Sequence, residues 1–307
     1  MTLSRAEMAG VWSATPTPFT ESMEIDEAAV ERMVAHHLRL GVKGLFVGGT
    51  CGEGPWMTDA QRRALLRAIA RSAKGRLFIA AQVTDNSAAR ILDNMRVAAE
   101  EGADIAVIAP PYFLLNATAQ TVLALYQRAI CESPLPVGIY DRGSHSSVVV
   151  PDEALREIYA EEKVVLVKDS SGEPGRREIA LATREKRPEL CLLNGNEFRC
   201  VEYLQAGYDG LLLGGGIFNG YLAGQIMAAV AAGDIDLANR LQQRMNQMMY
   251  SVYGGEQIEC WLSGQKKLLV EMGIFSTWRS YLDYPLTASC ERAIREVIER
   301  ERDVLFP

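Results

Sequence analysis

Histidine is scarce in this chain: three in 307 residues, with His36 and His37 adjacent. The six cysteines, at 51, 131, 191, 200, 260 and 290, form no C-x-x-C pair. Together these absences argue against a zinc or other His/Cys metal centre, so no metal and no cofactor is expected. The cysteines read as reduced packing thiols. No stretch approaches the ~18 apolar residues that a membrane-spanning helix needs. The opening MTLSRAEMAGVWS carries neither an apolar core nor a cleavage-like site, and the expected location is the cytoplasm. A basic stretch with interleaved aromatics is also missing. The formal charge of −7 has the sign that repels nucleic acid and anionic membranes, and neither is an expected partner.

What the chain does have is apolar material, 48% of its residues, enough for a large core. It falls into one recurring alternation. Short apolar runs read as strands buried on both faces: GVWSA (10–14), LFVG (45–48), LFIAA (77–81), IAVIAP (105–110), PVGIY (136–140), VVLVKD (164–169), LCLLNG (190–195) and GLLLGG (210–215). Between them lie stretches with helical spacing, at 28–40, 59–73, 88–101, 118–131, 151–161, 174–185, 197–206 and 221–232. Strands alternating with helices make a parallel sheet, either open and doubly wound or closed. Eight strands at an even spacing of roughly 30 residues favour the closed form. The expected fold is therefore α/β, a (β/α)8 TIM barrel over residues 1–233. After Gly233 the strands cease, and helical patterns at 234–250, 256–272 and 288–302 predict a helical C-terminal extension over 234–307.

In such a barrel the site gathers at the C-terminal ends of the strands. There the chain places GGTCGEG, PPYF, YDRGSH, KDSSG, NGNE and GGGIFNG. Lys168 ends the sixth run. Partial desolvation at a barrel mouth favours the neutral amine, which attacks a ketone or aldehyde to give an imine, an electron sink. The competing possibilities are a structural ion pair with Asp169 or Glu197 and snorkelling to solvent. The glycines of GGTCGEGP (48–55) let backbone N–H groups turn inward to hold an anion, and Thr50 and Cys51 add side chains. An ordinary glycine-rich turn reads the same way. The segment lacks the G-x-x-x-x-G-K-[ST] order of a P-loop. Tyr140 offers a phenol that can give and take a proton, or a core aromatic. Asn194, Asn196 and Glu197 could bind hydroxyls or cap the next helix. Gly214 to Gly216 allow close backbone approach to a ligand, or a tight turn.

Taken together, these segments resemble the dihydrodipicolinate synthase/N-acetylneuraminate lyase family, class I aldolase-type barrels acting on pyruvate or 2-keto acids. GGTCGE (48–53) is similar to the family's G-[ST]-[ST]-G-E loop, GIY (138–140) to its strand-5 tyrosine, VVLVKDSSG (164–172) to its strand-6 lysine segment, and LLNGNE (192–197) to its strand-7 glycine motif. The resemblance runs from TPF (17–19) into the C-terminal helices. It implies that Lys168 forms the imine, that Tyr140 shuttles protons, and that Thr50 orients Tyr140 through a hydroxyl hydrogen bond. It further implies that the backbone from Gly49 to Cys51 holds the substrate carboxylate. Gly195, Asn196, Glu197, Arg142, His145 and Gly214 are then candidates for binding the rest of the substrate. The resemblance also implies a homodimer or homotetramer.

Three departures bear on the substrate. Cys51 stands where a second hydroxyl residue is usual, and a thiol is a poor donor. Phe113 stands where the synthases carry a tyrosine that completes a relay across a subunit interface. Arg142 comes too early after Tyr140 to match the synthase arginine, whose place falls near Ser144 or His145. These departures count against dihydrodipicolinate synthase activity itself. The favoured expectation is a Schiff-base lyase that cleaves a 2-keto acid, of the 2-keto-3-deoxy sugar acid class, to pyruvate and an aldehyde. Dehydration of such an acid through the same imine is the alternative. A phosphate-binding barrel isomerase using residues 214–216 and a non-catalytic 2-keto-acid sensor are rivals from other classes.

Overall fold

The computed structural model describes residues 3–307. A short helix α1 (Arg5–Met8), closed by a capping box between Ser4 and Glu7, precedes the barrel. Then strands and helices alternate: β1 (Gly10–Ala14), α2 (Glu27–Arg39), β2 (Gly44–Val47), α3 (Asp59–Ala73), β3 (Phe78–Gln82), α4 (Ala88–Glu100), β4 (Ile105–Ile108), α5 (Ala119–Glu132), β5 (Val137–Asp141), α6 (Asp152–Ala160), β6 (Val164–Asp169), α7 (Pro174–Lys186), β7 (Cys191–Asn194), α8 (Cys200–Gln205), β8 (Gly210–Leu213) and α9 (Gly216–Ala231). The strands are parallel and close into a barrel in chain order, β8 returning to β1. The chain is a (β/α)8 barrel, followed by α10 (Ile235–Tyr253), α11 (Trp261–Glu271), α12 (Ala288–Arg300) and α13 (Arg302–Leu305).

Each strand buries both faces, which is why its sequence is apolar without alternation. One set of residues fills the barrel, including Trp12, Phe46, Val107, Leu166, Leu193 and Leu212. The residues between them, such as Val11, Leu45, Ile108, Val167, Leu192 and Leu213, pack outward against the helices. The indole of Trp12 fills the bottom and donates to the Met8 carbonyl at 2.8 Å, so α1 plugs that end.

Parity decides where the polar strand ends point, and a bulge sets it in β6. Val137 pairs with Val164 but Gly138 pairs with Leu166, so Val165 is an extra residue. With Leu166 inside, Val167 faces the helices and Lys168 faces the barrel. Tyr140 is its registered neighbour on β5.

Some boundaries differ from the sequence reading. The helix expected over 221–232 begins at Gly216, because the glycine turn after β8 feeds straight into it. The helix expected over 197–206 is a 3-10 turn at Glu197–Arg199 followed by α8. The helix expected from 256 begins at Trp261, since Gly254 and Gly255 both take positive φ and end α10. From α10 onward the chain folds back over the barrel mouth. Tyr253, Trp261, Gln265 and Lys266 all reach groups at the strand ends.

Candidate active site

Lys168 lies at the top of the barrel interior and is 5% exposed. Its Nζ stands 4.1 Å from the centroid of the Tyr140 ring and 4.9 Å from that of Phe46. Among the described residues no carboxylate comes within 4 Å of that nitrogen, and it makes no hydrogen bond. Both candidate ion-pair partners are engaged elsewhere. Asp169 points outward, accepting from Ser171 Oγ at 2.7 Å and from the Tyr208 hydroxyl at 2.7 Å. Glu197 accepts from the Gly215 N–H at 2.6 Å and from the Tyr253 hydroxyl at 2.9 Å. Burial pushes the Glu197 carboxyl above the usual carboxylate range, while those two hydrogen bonds and the charge of Lys168 oppose the rise. Asp141, also outward, is bound by Arg176 at 3.0 Å and by the Tyr159 hydroxyl at 3.1 Å.

Across the barrel the chain turns sharply after β2. A β-carbon on Gly54 would sit 1.9 Å from the Gly48 oxygen, so only glycine fits there. The Thr17 hydroxyl donates to the Gly52 carbonyl at 2.6 Å and braces the turn. Among the described residues the backbone N–H groups of Thr50, Cys51 and Gly52 have no acceptor. Thr50 and Cys51 line one cavity with the buried lysine, and successive free N–H groups of this kind suit an anion. Burial pushes the Cys51 thiol up to about 12, against the pull of the Lys168 and Arg142 charges, which disfavours a nucleophilic thiolate.

These groups surround a cavity of about 230 Å³ lined by Thr50, Cys51, Tyr140, Arg142, His145, Lys168, Gly195, Glu197 and Gly214, together with Ser170 and Trp261. A second lobe of about 170 Å³ shares Thr50, Tyr140 and Arg142 and extends past Trp56, Gln82, Tyr112 and Ser146. Two expected residues stay outside the cavity wall. Asn196 spends its side chain on the turn, its Oδ1 accepting from the Phe198 N–H at 3.3 Å, so it caps the helix instead of facing substrate. Gly49 packs against Phe46 instead: a β-carbon there would meet the Phe46 ring at 2.6 Å. The expected hydrogen bond between the Thr50 hydroxyl and the Tyr140 phenol is not formed among the described residues, although both line the same cavity.

Phe113 lies away from this chain's cavity and is 62% exposed. At the strand-8 end, the Gly215 N–H already serves the chain's own Glu197, which leaves the glycine run poorly suited to a phosphate. Sequence reasoning misses Ser170 and Trp261. Ser170 lies in the quoted KDSSG segment, whereas Trp261 comes from α11 and carries no local signal.

Set beside known proteins, residues 7–292 match the dihydrodipicolinate synthetase family. The chain belongs to this family. A 4-hydroxy-tetrahydrodipicolinate synthase from Kineococcus radiotolerans is 31% identical over 236 residues, covering 76% of this chain and 75% of that one. N-acetylneuraminate lyase 2 from Escherichia coli is 28% identical over 306 residues, covering 98% and 93%. The solved dihydrodipicolinate synthase from Bacteroides thetaiotaomicron superposes with a TM-score of 0.87 at 25% identity, over 95% of this chain and 98% of that one. As a dihydrodipicolinate synthetase family member the chain is a class I lyase, an enzyme working through a lysine Schiff base. The described residues include no helix long and apolar enough to cross a membrane.

Proposed function

We propose that this enzyme is an aldolase that cleaves a 2-keto-3-deoxy sugar acid to pyruvate and an aldehyde, with Lys168 as the imine-forming residue. The observation that carries the reading is the Lys168 amine: buried, without a carboxylate partner, and beside the Tyr140 ring. The neutral amine adds to the C2 carbonyl, and water leaves to give an iminium. Tyr140 gives its phenolic proton to that departing hydroxyl, and the phenolate so formed takes the proton of the C4 hydroxyl as the C3–C4 bond breaks. The electron pair of that bond moves into the iminium, giving an enamine and releasing the aldehyde. Protonation at C3 and hydrolysis then free pyruvate and regenerate the amine. The substrate carboxylate sits on the free N–H groups of Thr50 and Cys51, and Arg142, His145 and Glu197 face the remainder of the chain.

One observation favours a second reading, dehydration of the same class of acid. The Glu197 carboxyl lines the cavity and is raised by burial, so it suits protonation of a leaving hydroxyl. Loss of a proton from C3 and of the C4 hydroxyl as water would follow from the same iminium. Dihydrodipicolinate synthase activity is less well supported, since Phe113 offers no hydroxyl to a relay. Tyr112, Phe113 and Leu115 are 40%, 62% and 73% exposed, and this apolar cluster supports a homo-oligomer.

Borohydride reduction in the presence of a panel of 2-keto acids, followed by intact and peptide mass analysis, tests the reading. The expected result is one adduct on Lys168, with a pyruvate-sized mass after cleavage of the true substrate. Dehydration would leave the full carbon chain less one water. No adduct with any 2-keto acid, or an adduct on another lysine, would overturn the assignment.

A further inference from the structure

We propose that Glu53 and Lys266 are positioning residues for the substrate-carboxylate turn, and that α11 fixes that turn from outside the barrel. The proposal rests on Lys168 forming the imine. Glu53 follows the free N–H groups of Thr50, Cys51 and Gly52, and its own N–H closes the turn onto the Thr50 carbonyl at 3.2 Å. Its backbone takes φ 59°, ψ 19°, a left-handed conformation that glycine adopts far more easily than glutamate. A glutamate held there answers to its side chain.

The Glu53 side chain is fully buried, and its hydrogen bonds all reach residues of the C-terminal segment. One oxygen pairs with Lys266 Nζ. The other accepts from the Ser280 hydroxyl at 2.8 Å and from the Tyr281 N–H at 2.6 Å. Lys266 also donates to the Arg279 carbonyl at 2.7 Å and lies over the Phe19 ring at 4.6 Å. The same helix touches two other parts of the mouth. Gln265 Nε2 donates to the Gly214 carbonyl at 2.8 Å, and Trp261 lines the cavity. One helix therefore meets the strand-2 turn, the strand-8 turn and the cavity wall.

A buried ion pair is a poor way to gain stability alone, because well-packed apolar residues do as well. Several directional bonds on one carboxylate do something an apolar pair cannot: they fix the orientation of the backbone that carries it. N–H groups aimed in advance bind an anion without reorganising. The turn binds the carboxylate and takes no part in imine chemistry, so loosening it raises KM and spares kcat.

The test uses the whole chain with Lys266→Met, which keeps the length of the side chain and removes its charge. The expected result is a rise of about tenfold or more in KM for the 2-keto acid substrate, with kcat changed by less than about threefold. Borohydride trapping of Lys168 by acetone, a ketone without a carboxylate, should match the parent enzyme. Ser280→Ala, which removes a single bond to Glu53, should show the same pattern in weaker form. It decides the matter on the same criterion if Lys266→Met does not fold. Unchanged KM, or an equal loss of trapping by pyruvate and by acetone, would overturn the proposal. Trapping of the parent enzyme by pyruvate tests the role of Lys168 separately.

Discussion

Gly195 lies so close to Lys168 that a β-carbon on it would stand 2.9 Å from the lysine Cε and 1.9 Å from Ser170 Oγ. The end of β7 must lack a side chain for the β6 lysine to reach the cavity. Gly195→Ala is therefore expected to displace the amine. Overpacking of this kind costs about 1–3 kcal/mol, while a misplacement of ~1 Å at a reacting atom costs about 10²-fold in rate. The predicted outcome is a protein that folds, with kcat/KM reduced about 10²-fold and slower borohydride trapping. Circular dichroism melts and trapping kinetics on the same sample check it.

Tyr140 is next in line. It is the registered neighbour of Lys168, and its ring packs edge-on to Phe46 at 5.6 Å. Tyr140→Phe keeps that packing and removes only the phenol. If the phenol moves the C4 proton, turnover falls by roughly 10²–10⁴ while imine formation with pyruvate persists. Lys168→Ala, by contrast, should abolish turnover and trapping together. Full activity in Tyr140→Phe would remove the phenol from the mechanism.

The barrel is legible in the sequence because each strand is buried on both faces, a condition that writes itself into the chain as unbroken apolar runs. The ends of the runs are legible for the same reason, since Lys168 interrupts VVLVKD where the backbone leaves the core. Its inward direction is not, because that depends on the extra residue Val165, which exists only as a pairing offset against β5. Glu53 and Lys266 are equally hidden. They lie 213 positions apart, and nothing local to either predicts the other. Asn196 reads both as a hydroxyl ligand and as a cap, and only the backbone path after β7 shows that the cap holds it.

His36 and His37, too few for a metal site, make a prediction about pH. Both are fully buried. His36 Nε2 meets the Ile217 carbonyl at 2.8 Å, and His37 bridges the Met33 carbonyl at 2.8 Å and Ser13 Oγ at 2.9 Å. Burial lowers His36 to about 4 and His37 to about 3, the second helped by the neighbouring imidazole. In the unfolded chain both titrate near 6.5. Below that pH the unfolded chain binds protons that the folded one refuses, so stability falls as pH drops from 6.5 through 4 toward 3. Above 6.5 this contribution is flat. A tenfold difference in proton affinity between folded and unfolded chain is worth about 1.4 kcal/mol, so by about pH 4 the pair costs several kcal/mol. Urea midpoints at about pH 7 and about pH 5 should differ in the parent. His37→Gln, which can still reach Ser13, should shrink that difference. An unchanged difference would place the acid sensitivity elsewhere.

Arg142 is the one half-buried arginine without an ion pair or hydrogen bond among the described residues; the others without partners, such as Arg156 and Arg240, are exposed. It borders both lobes of the cavity, and its neighbour Asp141 is turned outward to Arg176. An unpaired guanidinium facing a cavity is a contact for the hydroxyl or acid oxygens of a longer substrate, beyond the carbons that pyruvate possesses. A hydrogen bond to a charged group is worth about 1.5–3 kcal/mol. Arg142→Ala is therefore expected to raise KM for the full-length 2-keto acid by roughly 10–100-fold. Trapping of Lys168 by pyruvate should change little, because pyruvate has no carbons beyond C3 to carry the oxygens that the guanidinium would hold. Steady-state kinetics with the long substrate and trapping with the short one separate the two effects. An equal loss on both would mean that Arg142 serves the carboxylate end, beside Thr50 and Cys51, and that the distal part of the substrate is recognised by other residues.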